Sequence, residues 1–573
     1  MQKRWHIHAP DPETVKNLAQ ALGCHRAVAA VLVNRGITDP QQARHFLKPA
    51  LSDLKVPSLL QDMDHAVERV IRAIHNKERI CIVGDYDTDG VTATVLLLEF
   101  LEETGARVTY HIPHRLAEGY GFQEAHVTDV AVPFGASLVI TVDCGISNHE
   151  AVEAAVKQGM DVIVTDHHAV GETLPGALAV VCPKRPDCES GLAHLAGVGV
   201  VFFLCIALRA ALREQGFWTT KPEPNLKRKC DLVALGTIAD MVPLVKENRI
   251  LVRAGLEIMR TRARPGVAAL MEKARVDPQT VSAVDLAYKL APRLNAAGRM
   301  DCAETSVELL RATDMAEALR LAGVLEIWNQ KRRDMEAGIH DSIRDQLESS
   351  PVGIGQASLV LAREGWHQGV LGITAARLSK EVCRPVLLIG LENGVGKGSA
   401  RGITGVNLFV ALTACERYLE AFGGHALAAG ITIKEHNIPA FIACFEQAIA
   451  VQAADRELGP ELWIDSPLAL GDIGLALADE IEHLGPFGTD NAEPVFFSER
   501  VGVHFFRILQ KKHRRMLWVP QDERGIRPIA AIEFGTSPVE DPPPVLSRAA
   551  YRVRSNRPGP GREIQLVVED LQF

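Results

Sequence analysis

RICIVGDYDTDG, residues 79–90, joins a short apolar run to three regularly spaced carboxylates. The apolar part is rich in β-branched residues and is about as long as one strand, which is typical of a strand buried in a parallel sheet. Asp85, Asp87 and Asp89 follow directly after it. Ligands of open α/β sheets bind outside the carboxyl ends of the strands, so we expect these carboxylates at a ligand site.

Two other predicted strands end in the same way. They are VITVDCG, residues 139–145, and VIVTDHH, residues 162–168. The side chains that they add are Asp143, Asp166, His167 and His168. Strands alternate with amphipathic helical stretches from residue 79 to residue 183, which predicts βαβ units and a parallel sheet. Three strands therefore bring five carboxylates and two imidazoles to one edge of that sheet.

This concentration of acidic side chains predicts a metal site. Crowded carboxylates raise one another's pKa unless cations neutralise them. Oxygen ligands with one or two imidazoles and no thiolate suit Mn²⁺ or Mg²⁺ better than structural zinc. A single Asp at a strand end is usually a helix cap, but three such clusters on one sheet favour two ions that share a bridging Asp. Two ions about 3.5–4 Å apart suit phosphoryl displacement.

Length and composition narrow the class of protein. The chain has 573 residues, of which 47% are hydrophobic and 23% charged. At roughly 100–200 residues per domain, this predicts three or four domains and excludes global disorder. The longest apolar run, residues 195–208, is shorter than the roughly 18 residues of a membrane span. The first residues carry no apolar export segment and the 11 cysteines form no CxxC pair, so we expect a soluble, cytoplasmic protein.

Changes of pattern along the chain predict its domain organisation. Residues 193–345 are largely helical, and the charged, Ala/Leu-rich stretch 315–347 predicts one long helix. Short β-rich runs after residue 494, beginning with 495–497 and 501–508, predict a small barrel or sandwich. The predicted divisions are a first α/β domain with an N-terminal extension at 1–314, a connecting helix at 315–348, a second α/β domain at 349–455 and a β-rich domain at 456–573.

Several motifs resemble those of the DHH phosphoesterases, and within them the single-stranded-DNA-specific exonucleases. DYDTDG, VDCGIS and TDHH match the first three family motifs, and GTIADMVPL, residues 236–244, matches the fourth. EGWHQGVLGITAARL (364–378) and FGGHALAAG (422–430) resemble the DHHA1 domain, and LGPFGTDNAEPVF (484–496) resembles the start of an oligonucleotide-binding (OB) barrel. The resemblance implies an α/β fold: a DHH domain with a parallel sheet, a long connecting helix, a DHHA1 domain and a C-terminal OB-type barrel.

The resemblance also implies roles for individual residues. The implied metal ligands are Asp85, Asp87, Asp143, His167 and Asp240. Asp143 would bridge the ions and act in catalysis with His168, which would lie beside the scissile phosphate. Asp89 is expected to brace its loop. The implied substrate-binding residues are Arg115, Arg299, Ser399, Arg401 and His425.

The activity that the resemblance implies is metal-dependent 5′-to-3′ hydrolysis of single-stranded DNA to 5′-mononucleotides, in recombination and repair. Single-strand-binding protein and a helicase are implied as partners. One alternative is a phosphodiesterase for short oligonucleotides or cyclic dinucleotides, although those relatives are implied to lack the barrel. Another is a non-catalytic DNA-binding scaffold, although every expected ligand is present.

Net charge first argues against a nucleic-acid partner, because the whole chain carries −9. Residues 499–573, however, contain 13 Lys and Arg against 9 Asp and Glu, a local charge of +4. Within them, RILQKKHRRMLW (507–518) places basic residues beside Met516 and Trp518. OB barrels pair a basic groove with aromatic side chains on which bases stack, so we expect this stretch to bind the strand.

Overall fold

The computed structural model describes residues 3–115, 117–219, 221–349, 357–454, 459–510, 512–521, 527–535, 541–555 and 561–573. These residues form two compact units. The larger unit contains Ile7–Glu326 and Trp463–Phe573, and the smaller contains Met1–His6 and Ile327–Leu462. The predicted division at 455/456 lies outside the described residues.

A five-stranded parallel sheet is the centre of the larger unit. Its strands are β1 (Arg79–Gly84), β2 (Arg107–His111), β3 (Leu138–Val142), β4 (Asp161–Thr165) and β5 (Ala179–Val181). Their order is β2-β1-β3-β4-β5, so β1, β3 and β4 lie side by side and all end at the same edge. Every residue of β3 is buried, as expected for a strand covered by helices on both faces. The predicted parallel sheet is confirmed.

The larger unit contains helices before, between and after the strands of this sheet in the sequence. Their bounds are Pro12–Leu22, Arg26–Asn34, Pro40–Leu47, Met63–Asn76, Thr88–Thr104, His149–Lys157, Gly197–Glu214, Cys230–Ala239, Lys246–Arg260, Pro265–Lys273, Ala291–Met300 and Glu304–Arg311. Helix Thr88–Thr104 packs on Gly197–Glu214 and on Cys230–Ala239, and this contact brings distant parts of the sequence to the end of β1. The predicted long helix is present as Met315–Ser349. No helix among the described residues is long and apolar enough to cross a membrane.

The smaller unit is built on a second, mixed sheet. Its strands are β6 (Leu359–Glu364), β7 (Val386–Glu392), β8 (Val395–Arg401), β9 (Ala421–Gly424) and β10 (Ala428–Lys434), in the order β9-β10-β8-β7-β6. Only β6 and β7 pair in parallel. The accompanying helices are Gln368–Val382, Leu408–Thr413 and Ile438–Ala453. Two more short strands of the chain are Arg4–Ile7 and Glu461–Ile464.

The C-terminal strands close into a barrel, as the β-rich pattern predicts. They are β11 (Ser466–Pro467), β12 (Phe496–Leu509), β13 (His513–Pro520), β14 (Ile529–Phe534), β15 (Val545–Ser555) and β16 (Ile564–Gln572), and helix Leu475–His483 precedes β12. Pairing runs β12-β13-β14-β16-β15 and returns to β12. The two predicted strands at 495–497 and 501–508 are one strand. An irregularity between Val503 and Phe505 bends it, so that one strand pairs on both sides and closes the barrel.

The expected exposure of Met516 and Trp518 is wrong. Both side chains are fully buried in the barrel core, where the Trp518 ring lies 5.8 Å from that of Tyr551. Side chains alternate between the two faces of a strand, so inward-facing residues on β13 leave His513, Arg515 and Leu517 on the outside. Arg514 is buried on the same inward face and pairs with Glu533, whereas Arg507 and Arg515 are exposed. Part of the basic stretch therefore remains available to a ligand, but without the predicted aromatic partners.

The barrel and the N-terminal helices share one hydrophobic core. Arg249, on helix Lys246–Arg260, binds the backbone of both regions and is 2% exposed. It donates hydrogen bonds to the carbonyls of Phe46 and, at 2.6 Å, Gly485, and its guanidinium lies 3.8 Å from the centre of the Phe46 ring. Burial lowers the pKa of Arg249 to about 9. This side chain ties the N-terminal segment and the start of the barrel to the helix that follows Asp240.

Replacing Arg249 should destabilise the larger unit. Arg249→Met keeps much of the side-chain volume but leaves buried carbonyl groups unpaired, and we expect a loss of about 3 kcal/mol in the free energy of unfolding. Urea denaturation measures this loss. The exposed Arg260→Met on the same helix is the matched control and should change stability by less than about 0.5 kcal/mol. Equal stability of the two variants would show that Arg249 does not hold the two regions together.

Candidate metal centre

Hydrogen bonds within the turn after β1 fix the positions of the Asp85 and Asp87 carboxylates. Asp87 caps helix Thr88–Thr104: its Oδ1 accepts from the backbone N–H groups of Asp89 at 2.9 Å and Gly90 at 3.1 Å. A Cβ at position 90 would lie 2.5 Å from the backbone oxygen of Asp85, so only glycine fits. The tight turn presents Asp85 and Asp87 together at the end of the strand.

Asp143 ends β3 in a conformation that non-glycine residues rarely adopt. Its φ is +61°, and it is 2% exposed. Residues held in the left-handed region cost free energy and concentrate at functional sites. Gly197 begins the helix opposite, where a Cβ would lie 2.4 Å from Asp143 Oδ1. The carboxylate therefore fits only because the facing helix begins with glycine.

His167 lies at the centre of the cluster. Its Nε2 is 3.2 Å from Asp143 Oδ1, 3.5 Å from Asp240 Oδ2 and 3.9 Å from Asp89 Oδ2. Both ring nitrogens of His167 are buried without a hydrogen-bond partner, as are Oδ1 of Asp85 and Oδ1 of Asp143. Buried polar atoms are normally paired, so several unpaired atoms within one cluster indicate a missing ligand.

Electrostatics points to a cation as that ligand. Burial, together with neighbouring carboxylates, raises the pKa of Asp85, Asp89 and Asp143 well above the usual range, and raises that of Asp240 to about 7. Burial, followed by the charge of His168, lowers the pKa of His167 to about 3. A neutral imidazole is the form that binds metals, and a cation removes the repulsion among the carboxylates. The residues present therefore fit a divalent metal.

Three groups of possible ligands lie against one another. Within each group, one ligand atom per residue lies within 4.8 Å of the others. The groups are Asp85, Asp87 and Asp143; Asp143, His167 and His168; and Asp89, His167 and Asp240. Asp143 and His167 each belong to two groups, but only the carboxylate has two acceptor oxygens with which it could bridge two ions. The structure thus brings together all five predicted ligands, while their individual roles stay predictions.

Asp89 does more than the predicted bracing of its own loop. Its Oδ2 accepts from the Gly197 N–H at 2.7 Å and its Oδ1 from the Val198 N–H at 2.9 Å, so it also caps helix Gly197–Glu214. The amide groups and dipole of a helix N-terminus stabilise a carboxylate. No local sequence signal shows this contact, because it joins residues more than 100 positions apart.

Asp166 orients His168. The Asp166 carboxylate accepts from the backbone N–H groups of His167 and His168, and His168 Nδ1 lies 2.7 Å from its Oδ1. Burial lowers the pKa of His168, but the hydrogen bond and charge of Asp166 outweigh it and raise the value to about 9. Sequence reasoning counted Asp166 among the five carboxylates of the cluster but gave it no individual role. Its position one residue before the His pair, at a buried strand end, was the available signal.

The rings of Tyr86 and Tyr120 lie between His168 and Arg115, a predicted substrate-binding residue. Its guanidinium lies 4.9 Å from the centre of the Tyr86 ring, which lies 6.3 Å from that of Tyr120. The Tyr120 hydroxyl is 3.4 Å from His168 Nδ1. Burial raises the pKa of Tyr86 to about 12, and the positive charges of Arg115 and Arg299 oppose that rise. Both predicted arginines therefore lie on the side of the site where Tyr86 and Tyr120 stand.

A carboxylate holds the loop that carries Arg115 and Tyr120. Oε2 of Glu118 lies 2.9 Å from Nε2 of His111, at the end of β2, and 2.9 Å from Nε2 of His126. These three residues also form a possible metal group. However, His126 Nδ1 accepts from the Gln123 N–H, so its Nε2 carries the proton and donates to Glu118. The cluster is a hydrogen-bonded clip and not a metal site.

The other predicted substrate-binding residues lie in the smaller unit, close to one another. Ser399 and Arg401 are on β8, and Arg401 donates to Ser399 Oγ at 3.0 Å. His425 follows β9, and its N–H donates to the carbonyl of Ala428, the partner of Arg401 across the sheet. A Cβ at Gly372 would lie 2.7 Å from Arg401 Nη2, so a glycine of helix Gln368–Val382 makes room for the guanidinium.

Gly197 offers a test of the metal centre that spares every proposed ligand. Gly197→Ala forces a methyl group against Asp143, and we expect Mn²⁺ affinity to fall by at least about 10-fold. Isothermal titration with Mn²⁺ alone measures it. Gly199→Ala is the control, because its new Cβ would meet only the side chain of Leu195, at 3.3 Å or more. Unchanged affinity in a folded Gly197→Ala protein would remove Asp143 from the site.

Comparison with known proteins agrees with this geometry. The family model described as "DHH family, N-terminal domain" matches residues 79–237, the "DHHA1 domain" matches 355–451, and the "RecJ OB domain" matches 464–570. A single-stranded-DNA-specific exonuclease RecJ of Dickeya dadantii is 38% identical over 558 residues, which are 94% of this chain and 94% of that protein.

Two further matches cover most of the chain. The RecJ of Bacillus subtilis is 37% identical over 517 residues, or 90% of this chain, and the match spans 64% of the length of that relative. The crystal structure of RecJ in complex with Mn²⁺ from Thermus thermophilus aligns with a TM-score of 0.83 at 29% identity. That alignment covers 100% of this chain and 79% of the other.

Proposed function

This chain belongs to the RecJ family of single-stranded-DNA-specific exonucleases, and we propose that it hydrolyses single-stranded DNA from the 5′ end to 5′-mononucleotides. The observation that carries the proposal is the shared carboxylate: Asp143, at the end of β3, belongs to two of the three ligand groups, one with Asp85 and Asp87 and one with His167 and His168. The 5′-to-3′ direction, the mononucleotide product and a role in recombination and repair follow from the family. The cofactors are two Mn²⁺ or Mg²⁺ ions.

Different residues of the site have different roles in hydrolysis. Asp85, Asp87, Asp143, His167 and Asp240 hold the metals. When bound, divalent ions lower the pKa of water and stabilise negative charge on the phosphoryl transition state. His168 donates its Nδ1–H to Asp166, and because its pKa is raised to about 9 the ring is positively charged and carries a second proton on Nε2. His168 donates that proton to an oxygen of the scissile phosphate. Asp166 fixes the ring in that orientation, as acidic partners of catalytic histidines do.

Two arginines near Tyr86 hold the strand. Arg115 and Arg299 bind a phosphate, because a guanidinium presents a fixed fork of donors that matches phosphate oxygens. The clip at Glu118 keeps the Arg115 loop in place. In the smaller unit, Ser399, Arg401 and His425 form a second polar group for the strand. The divisions at 1–314, 315–348, 349–455 and 456–573 remain our proposal for the domains.

The outer face of the barrel provides a further contact for DNA. Phe505 and Phe534 are 51% and 57% exposed, and His513 packs edge-on against Phe534. Arg507 pairs across the strands with Arg515, so basic side chains stand between the aromatic ones. This combination suits single strands, because bases stack on aromatic rings while cations follow the backbone. It replaces the predicted platform at Met516 and Trp518.

The family resemblance also suggests where the protein works and which proteins it contacts. We propose that the protein works in the cytoplasm on single-stranded DNA. Contacts with single-strand-binding protein and with a helicase stay predictions of the resemblance, because none of the described residues identifies a surface for either.

Digestion of end-labelled DNA tests the main proposal. The full chain should release mononucleotides from the 5′ end of single-stranded DNA with Mn²⁺ or Mg²⁺ and should be inactive in EDTA. Asp143→Asn should lower the rate by at least about 1,000-fold, because the bridging charge is lost. Asp64→Asn, an exposed change on helix Met63–Asn76, is the control.

Two outcomes would contradict the proposal. Retained activity in Asp143→Asn would refute the two-metal assignment. Faster hydrolysis of a dinucleotide than of a long 5′-phosphorylated strand would favour the phosphodiesterase alternative.

Removing the exposed rings tests the barrel. The double variant Phe505→Ala and Phe534→Ala should weaken single-strand binding by at least about 10-fold, since stacking contributes about 1–3 kcal/mol per base. Fluorescence anisotropy in EDTA measures binding without hydrolysis. Phe573→Ala, which removes a ring that is 75% exposed at the chain end, should have no effect. If both proteins bind alike, the strand does not use this face.

A further inference from the structure

Two cysteines of the smaller unit lie unusually close together. Cys415 follows helix Leu408–Thr413 and is fully buried, whereas Cys444 lies on helix Ile438–Ala453 and is partly exposed. Their Sγ atoms are 2.8 Å apart. Unbonded carbon atoms in contact stand about 3.5–4.0 Å apart, and sulfur is larger, so this pair is closer than two packed thiols. A disulfide joins sulfurs at about 2.05 Å.

The surrounding structure holds the two segments in this position. At one end of helix Ile438–Ala453, the Gln452 side chain accepts from the Asn407 N–H at 2.8 Å and donates to its carbonyl at 3.2 Å. At the other end, the Asn437 amide donates to the carbonyl of Tyr418 at 3.2 Å. These contacts bracket the cysteine pair on both sides. The two sulfurs therefore lie within about 1 Å of bonding distance in a held position.

We propose that Cys415 and Cys444 form a reversible disulfide, and that this pair is a site of oxidation by low-molecular-weight disulfides such as oxidised glutathione. The bond would close a loop of chain that contains β9, β10 and His425. The inference concerns the smaller unit alone and does not depend on the proposed nuclease activity. Sequence spacing offers no hint of it, because 29 positions separate the residues and no CxxC motif is present.

Because Cys444 is partly exposed and Cys415 is buried, we expect Cys444 to react first. The Cys444 thiolate, having lost its proton to solvent, attacks one sulfur of oxidised glutathione and releases one glutathione thiolate. Cys415 then loses its proton and attacks Cys444 Sγ, which forms the protein disulfide and releases a second glutathione. Two protein thiols are oxidised and one glutathione disulfide is reduced to two thiols. Burial raises the pKa of Cys415, which makes it the poorer first nucleophile and suits it to the second step.

Peptide mapping tests the proposal on the full folded chain. After incubation with oxidised glutathione and digestion without reductant, mass spectrometry should find one peptide pair that joins Cys415 to Cys444. Dithiothreitol should separate it. In Cys415→Ser the glutathione adduct on Cys444 should persist, because no second thiol displaces it. Cys383→Ser, a partly exposed cysteine of the same unit, is the control and should still form the bond.

Thermal unfolding provides a second measurement. Oxidation should raise the unfolding midpoint of the wild type by at least about 3 °C and leave that of Cys415→Ser unchanged, because the closed loop restricts the unfolded chain. A stable glutathione adduct on wild-type Cys444 without the joined peptide would overturn the proposal. A lower midpoint in the oxidised wild type would overturn it too, since the bond would then not fit the native structure.

Discussion

Repulsion among buried carboxylates is the constraint on which the rest of this structure depends. Asp89, Asp143 and Asp240 meet around His167, and Asp85 lies beside Asp143. Burial and the neighbouring carboxylates raise the pKa of all four. A cation resolves this conflict without protonating the carboxylates, so the cluster suits a divalent metal. The arrangement costs stability in the metal-free protein and offers a group of ligands that suits divalent ions.

Glycines and an unusual backbone conformation in the neighbouring elements make room for these carboxylates. Gly90 allows the tight turn at Asp85, and Gly197 leaves room for Asp143, which itself takes a left-handed backbone conformation. Asp89 joins the loop to the facing helix through two backbone amides. Because each element is matched to its neighbour, a single methyl group at position 197 is expected to disturb metal binding without touching a ligand.

Motifs and periodicity were enough to predict the parallel sheet, the long helix, the barrel and the membership of the chain in the exonuclease family. They were not enough where a contact joins distant residues. For example, Asp89 caps helix Gly197–Glu214. Arg249 donates hydrogen bonds to the carbonyls of Phe46 and Gly485. Trp518 shows a different limit, since a strand that carries basic and aromatic residues does not reveal which face turns inward.

Sequence alone therefore determined which chemistry this protein carries: carboxylates and imidazoles placed directly after β-branched runs, in the order of a known family. Tertiary structure decided how these groups meet. Only the packed fold shows that Asp143 belongs to two ligand groups, that Phe505 and Phe534 form the exposed aromatic face, and that Cys415 touches Cys444. The physical reason is that residue types and local spacing are properties of the chain, whereas long-range proximity and burial arise when its elements pack.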